Sequence, residues 1–402
     1  MTFRLLIAAA LAAGTALAIA QTPQPQSQPR PAAPTPPLTA PSVPGAAHIL
    51  MDFETGQVLA GDNIHEGLQP ASITKVMTAY VVSAEIAAGR ISLDDEVFIS
   101  ENAWRQGGAA TDGSFSALAV NSRVALRDVL KGMMVQSGND ASIALAEHVA
   151  GTEEAFVDLM NRTAAGLGMR NSHFRNSHGL TAEGQMMSVY DIALLASAMI
   201  RDFPEQYAYY SVREFTFNEI RQYNRNGLLW RDESVDGLKT GYTAAAGFCL
   251  VTSAERSGQR LIAAVLGIQA SRNEGFRLRE EANQTLLNWG FRNFETHEVY
   301  PAGSAVATHK VYKGAEPEIG LGLAQPLRVT VPRGRYEELR AEMDVPAQLV
   351  APIDAGQAIG SLRLSLDGET VVERDLVALV EVPQGGFFRR LADDFWLWWD
   401  RD

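Results

Sequence analysis

The hydrophobic and polar positions fall into a few clear runs. Alternation over Ala47–Asp52 and Gln57–Ala60, on either side of the turn Glu54-Thr55-Gly56, predicts a β-hairpin. After Pro70, Val76, Met77, Ala79, Tyr80 and Ala84 recur at helical spacing, so a helix starts near Ser72. Helical patterns follow at Arg127 to Val135, Asp140 to Val149, Glu153 to Ala165 (closed by Gly166), Ser188 to Arg201, and Asn273 to Trp289. Residues 94–125 are mixed, with Gly107-Gly108 and Gly113 marking loops, and His173 to Gly184 reads as loop. Strand patterns come late, at Ser234 to Leu238, Phe248 to Ser253 and Leu261 to Ile268. Strands at both ends of a helical middle predict an α+β fold, with the first hairpin joining the later strands in one antiparallel sheet.

The texture changes after Phe294. Short β-like runs recur at 305–307, 327–331, 348–350, 358–364 and 376–380, separated by Gly and Pro turns, and predict a small all-β domain. Residues 1–20 have the form of a secretory signal: Arg4, an apolar stretch from Leu5 to Ala13, then Ala18-Ile19-Ala20. A membrane anchor is the other reading of this stretch, but the run is short for a span and no stop-transfer pattern follows. Residues 21–45 hold nine of the 18 prolines and read as an extended spacer. The expected division is therefore 1–20 signal, 21–45 linker, 46–293 main domain, 294–384 β domain and 385–402 tail.

A net charge of −13 argues against a nucleic-acid partner. Cys249, the single cysteine, cannot close an internal disulfide and reads as a small buried hydrophobe. The seven histidines form no His-Glu-x-x-His pattern, so no metal or other cofactor is expected.

The chemistry lies in three short motifs. Ser72 and Lys75 are three apart, so a helix puts them on one face a turn from each other. A serine hydroxyl needs a base to become a nucleophile, and a lysine serves only if burial or a neighbouring cation holds it neutral. Ser137-Gly138-Asn139 sits in the break between two helices, and Lys239-Thr240-Gly241 follows Val235–Leu238. Ser-x-x-Lys, Ser-x-Asn and Lys-Thr-Gly, in that order, are the signature set of the penicillin-recognising serine acyltransferases.

On these motifs the chain resembles the low-molecular-mass penicillin-binding proteins that act as D-alanyl-D-alanine carboxypeptidases. The resemblance runs from about His48 to the C-terminus and includes Gln69 to Val81, His178-Gly179-Leu180, Glu214 to Trp230, Val331 to Arg335 and Phe387-Phe388. It implies a penicillin-binding, β-lactamase-like transpeptidase domain followed by the small all-β domain. It implies that Ser72 attacks the carbonyl between the terminal D-alanines of a peptidoglycan stem peptide, with Lys75 as base, kept neutral in part by Lys239. Ser137 would relay a proton to the leaving nitrogen, and Asn139 would orient Lys75 and the substrate amide. The N–H groups of Ser72 and Tyr242 would form the oxyanion hole, beside Gly241; Tyr242 stands where the family's best-known member has a histidine. Lys239, Thr240 and Arg279 would bind the terminal carboxylate, and His178 and Arg225 align with residues lining the site. The other reading of Arg279 is a solvated residue on a helix with Arg277, Glu280 and Glu281. β-Lactams would acylate Ser72.

Rival readings are a D,D-endopeptidase, a weak β-lactamase and a non-catalytic cell-wall binder. A class A β-lactamase adds a glutamate in Glu-x-x-Leu-Asn, and Leu287-Asn288 lacks it. A pure binder needs no nucleophile–base pair. In the tail, Phe387, Phe388, Leu391, Phe395, Trp398 and Trp399 fall within about 120° of a helical wheel, opposite Arg389, Arg390, Asp393, Asp394 and Asp400. This predicts an amphipathic helix lying on a membrane surface, so the enzyme is expected in the periplasm on the outer face of the inner membrane. Packing on the β domain is the alternative, favoured by Leu397 on the polar side.

Overall fold

The computed structural model describes residues 38–399 apart from 110 and 112. The expected signal and the first part of the linker lie outside the described residues.

The hairpin forms as β1 (Ala47–Asp52) and β2 (Val58–Asp62). A single 3₁₀ turn, Ala71–Thr74, leads into α1 (Lys75–Ala87). The mixed stretch 94–125 contains β3 (Glu96–Phe98), α2 (Glu101–Gly107) and β4 (Arg123–Ala125). Its helix escaped the pattern because Gly107 is its last residue and punctuates the sequence. The run from Arg127 is not one helix: α3 (Leu126–Lys131) opens into a wider π turn over Gly132–Gln136. Then come α4 (Asn139–Ala150), α5 (Glu153–Gly166) and α6 (Val189–Asp202). Thr152 and Ser188 cap the last two by accepting from Ala155 N and Asp191 N.

Short helices α7 (Pro204–Tyr207) and α8 (Leu228–Arg231) flank a hairpin of β5 (Glu214–Phe217) and β6 (Ile220–Tyr223) that the pattern did not predict. The three late strands are β7 (Val235–Thr243), β8 (Gly247–Arg256) and β9 (Gln259–Ile268). Lys239-Thr240-Gly241 lies within β7 rather than after it, because pairing with β8 continues to Thr243. α9 (Arg272–Asn293) completes this part.

β1 pairs antiparallel with β9, giving a five-stranded sheet in the order β2-β1-β9-β8-β7. Strand alternation divides its side chains. Ile49, Met51, Val251, Ile262 and Ala264 join the helical core of α1, α4 and α6. Leu50, Leu250, Ala263 and Val265 meet Leu286, Leu287 and Phe291 of α9 on the other face.

β10 (Phe294–Tyr300) starts where α9 ends. The remaining strands are β11 (Ala305–Tyr312), β12 (Glu318–Gly322), β13 (Leu327–Pro332), β14 (Arg340–Asp344), β15 (Leu349–Val350), β16 (Ala358–Leu366) and β17 (Glu369–Ala378). β10 pairs with β13, and the others form a six-stranded sheet. Asp52, at the end of β1, ties the two parts together. Its Oδ1 accepts from Glu54 N, Thr55 N and Thr55 Oγ1, while Oδ2 accepts from Thr296 Oγ1 at 2.6 Å. α10 (Phe387–Trp399) closes the described chain. No described helix is long and apolar enough to cross a membrane.

Candidate active site

Ser72 sits in the 3₁₀ turn, after Ala71 in a left-handed conformation (φ 48°). One turn on, Lys75 is only 1% exposed. Its Nζ lies 3.1 Å from Ser72 Oγ, 2.7 Å from Asn139 Oδ1 and 2.5 Å from the carbonyl oxygen of His178. The amide and carbonyl oxygens can only accept, so a neutral amine spends both N–H donors on them. Its lone pair then faces Ser72, whose hydroxyl is the donor that remains. Burial pushes this amine down to about 7; Asp140 and Glu153 work against that shift and Arg225 with it.

Ser137 is held left-handed (φ 70°, ψ 33°) at the end of the π turn. The adjoining turn is fixed from both sides. Gly138 N donates to Gly132 O, and Asn139 N donates to Ser114 O at 2.7 Å. The buried carboxylate of Asp140 accepts from Ser116 N, Ala141 N and Leu118 N. Asp140 was not singled out from sequence, yet it clamps residues 114–118 to the Ser-Gly-Asn turn.

On the opposite side, β7 runs past the nucleophile. A Cβ at Gly241 would lie 3.0 Å from Pro70 O and 3.2 Å from Ser72 N, so glycine lets the strand come alongside the Ser72 backbone. Tyr242 follows, half exposed, its ring packed on Phe248 at 4.3 Å.

Between these walls lies a cleft of about 380 Å³. Ser72, Ser137, Asn139, Thr240, Gly241, Tyr242, Arg225 and Arg279 all line it. Lys75 and Lys239 are buried behind the wall, Lys239 with its Nζ on Thr240 O at 3.1 Å. Burial lowers Lys239 well below the usual lysine range, and Lys75, Arg225 and Arg279 add to the shift. The two buried amines therefore each disfavour the other's proton, and Arg225 acts on both in the same direction.

Arg279 is not a solvated helix residue: it is 2% exposed, with Nη2 donating to Arg225 O. The His178 ring does not line the cleft. Its Nδ1 accepts from Leu180 N and its Nε2 stands 3.7 Å from Glu153, while burial and Lys75 push the imidazole down to about 3. His178 meets the site through its carbonyl. Thr111, Ser114, Arg272 and Phe276 also line the cleft and carry no motif that singles them out. Among the described lining residues there is no carboxylate, and no described cluster of His, Cys, Asp and Glu could hold a metal ion.

A serine aligned on a buried amine near neutrality, facing a cationic cleft, defines a serine acyltransferase site. Residues 34–270 match the D-alanyl-D-alanine carboxypeptidase family, and residues 294–384 match the C-terminal domain of penicillin-binding protein 5. D-alanyl-D-alanine carboxypeptidase DacC of Escherichia coli is 44% identical over 357 residues, 88% of each chain. DacA of Escherichia coli is 41% identical over 88% of this chain and 87% of its own. The crystal structure of penicillin binding protein 5 from Haemophilus influenzae superposes with a TM-score of 0.82 at 38% identity, covering 86% of this chain and 99% of that one. The chain belongs to the D-alanyl-D-alanine carboxypeptidases. It is a serine-type hydrolase with the penicillin-binding-protein fold.

Proposed function

We propose that this enzyme removes the terminal D-alanine from peptidoglycan stem peptides through an acyl-enzyme on Ser72. Ser72 Oγ attacks the carbonyl carbon between the two D-alanines while its proton passes to Lys75 Nζ. The tetrahedral oxyanion is held by the backbone N–H groups of Ser72 and Tyr242. The proton moves through Ser137 to the leaving nitrogen, the C–N bond breaks, and D-alanine departs with its carboxylate among Thr240, Lys239 and Arg279. Asn139 holds Lys75 and the substrate amide. Water then attacks the ester carbonyl, gives its proton to the same base, and frees Ser72.

The observation that carries this reading is the position of Lys75 Nζ, 3.1 Å from Ser72 Oγ and between two fixed acceptors, so that in the neutral amine the lone pair is left for the Ser72 hydroxyl. Intact-mass analysis after incubation with benzylpenicillin tests it. One adduct is expected, mapping to Ser72 and absent in Ser72→Ala. An adduct elsewhere, or D-alanine release by Ser72→Ala, refutes it.

In this reading residues 46–293 carry the chemistry, 294–384 form a support, and 385–402 attach the enzyme to the outer face of the inner membrane after export. Support for attachment lies in how α10 meets the β domain. Arg389 Nη1 donates to Ala315 O, Asp393 accepts from Lys313 N, and Asp394 pairs with the Lys313 ammonium. Phe387, Phe388, Leu391, Phe395 and Trp396 are exposed. The helix thus docks by its charged side and presents its apolar side outward.

A further inference from the structure

The cleft carries more positive charge than a substrate with one terminal carboxylate uses. Lys239 and Arg279 stand with Thr240 at the proposed carboxylate position. Arg225 and Arg272 add two more guanidinium groups to the cleft wall. Arg279 Nη2 donates to Arg225 O at 3.0 Å, which puts Arg225 at the same, leaving-group end. Arg272 is close enough to Arg225 to lower its proton affinity. No described lining residue is a carboxylate, and Glu280, which acts on Arg279 from outside the cleft, is itself paired with Arg231.

Stability does not account for Arg272. It is the first residue of α9, where the helix dipole opposes a cation, and its charge lies close to a second guanidinium, that of Arg225. Arg279 shows that this end of the cleft is shaped for anions. Its side chain is buried, its guanidinium lies over the Phe276 ring at 4.9 Å, and its Nε has no partner among the described residues. A buried charged donor at a cleft wall without an acceptor is costly unless an anion arrives.

We propose that Arg225 and Arg272 form a second anion subsite on the leaving-group side of the scissile bond, so that the cleft takes leaving amino acids with a second carboxylate. This rests on the reading of the cleft as a D,D-peptidase site. The α-carboxylate of the leaving residue meets Thr240, Lys239 and Arg279, and its side-chain carboxylate meets Arg272, where an arginine fork can hold both oxygens.

The test compares full-length enzyme on two acyl peptides, one ending in D-Ala-D-Glu and one in D-Ala-D-Gln, which differ only by the charge. The expected result is a kcat/KM ratio of about tenfold in favour of D-Glu, the scale of one charge-assisted hydrogen-bond pair. Arg272→Gln should bring that ratio close to one, and Arg272→Lys should keep part of it. Benzylpenicillin acylation of each variant confirms a folded site. Equal cleavage of the two peptides by the unmodified enzyme, or a ratio that Arg272→Gln leaves intact, overturns the proposal. If the unmodified enzyme fails on D-Ala-D-Ala itself, the underlying peptidase reading fails, and the subsite falls with it.

Discussion

Gly179 stands directly against the carbonyl group of Ala71. A Cβ at position 179 would lie 1.9 Å from Ala71 O and 2.9 Å from Thr74 Oγ1. Both residues are left-handed, at φ 87° and 48°. Ala71 immediately precedes the nucleophile, and His178, just before the glycine, supplies the carbonyl that accepts from Lys75. One loop therefore sets the position of the serine and the orientation of its base.

Gly179→Ala should accordingly damage chemistry more than its size suggests. The added methyl must displace backbone, not a flexible side chain, and left-handed geometry is strained for alanine. We expect a loss of about 100-fold in the benzylpenicillin acylation rate, the scale of a 1 Å misplacement of reacting groups. Stopped-flow acylation measures it; a rate within a few-fold of the unmodified enzyme would show that the contact does not position Ser72.

The pH profile follows from Lys75. Only the neutral amine can take the serine proton, and burial holds it at about 7. Acylation should rise with pH through about 7 and level off above it. Arg225 lowers Lys75, so Arg225→Gln should raise its proton affinity and move this limb to higher pH. Stability has the same sign. Between about 7 and the ordinary 10.5 the unfolded chain keeps a proton that the folded one has lost, so unfolding free energy rises with pH across that window. Urea titrations over that range should show the rise, and Lys75→Met should reduce it.

Much of the site was legible because its chemistry sits in contiguous motifs. Ser72 and Lys75 are one helical turn apart, and the Ser137 and Lys239 motifs mark their own turn and strand. Asp140 was not legible: its role is to hold residues 114–118, which lie far from it in sequence. Arg272 opens α9 with no pattern around it. His178 reads from sequence only as a residue of the site, because its position in a motif does not say whether its ring or its carbonyl is used. In the fold, the long apolar runs were recovered. β14 was lost because every residue in it is exposed, and β10 because its polar alternation resembles a loop. The pairing of β1 with β9 has no local sequence signal of its own, and the π turn at Gly132–Gln136 looks apolar and helical until Ser137 turns left-handed.

Asp140 offers a direct test of the clamp. Asp140→Asn keeps the shape, but its amide must set an N–H donor against one of the three backbone N–H groups now served by the carboxylate. The expected cost is about 2–4 kcal/mol, as for breaking a buried charged hydrogen-bond set. Asp140 also holds the Lys75 proton, so the variant's acylation limb should move to lower pH, opposite to Arg225→Gln. Denaturation and acylation profiles on one preparation check both. A limb that stays in place would mean that Asp140 acts through geometry alone.

The tail is the remaining case, and here the polarity of docking decides the expectation. Lys313, Asp393, Asp394, Arg389 and the carbonyl of Ala315 occupy the side of α10 that meets the β domain. The rings of Phe387 and Phe388 point to solvent, 66% and 84% exposed. Burying these groups with Leu391, Phe395 and Trp396 in an interface gives a binding force that rests on apolar area, at about 25 cal/mol per Å². Arg389 and Arg390 are matched by Asp393 and Asp394, so little net charge is left to attract anionic lipid. Deleting residues 386–402 should therefore release the enzyme from membranes while leaving cleavage of soluble peptides intact, since the cleft draws no residue from α10. Full-length enzyme should stay bound in high salt and to vesicles of neutral lipid, and detergent should free it. Release by salt alone, or sedimentation of the truncated chain with membranes, would place the attachment elsewhere.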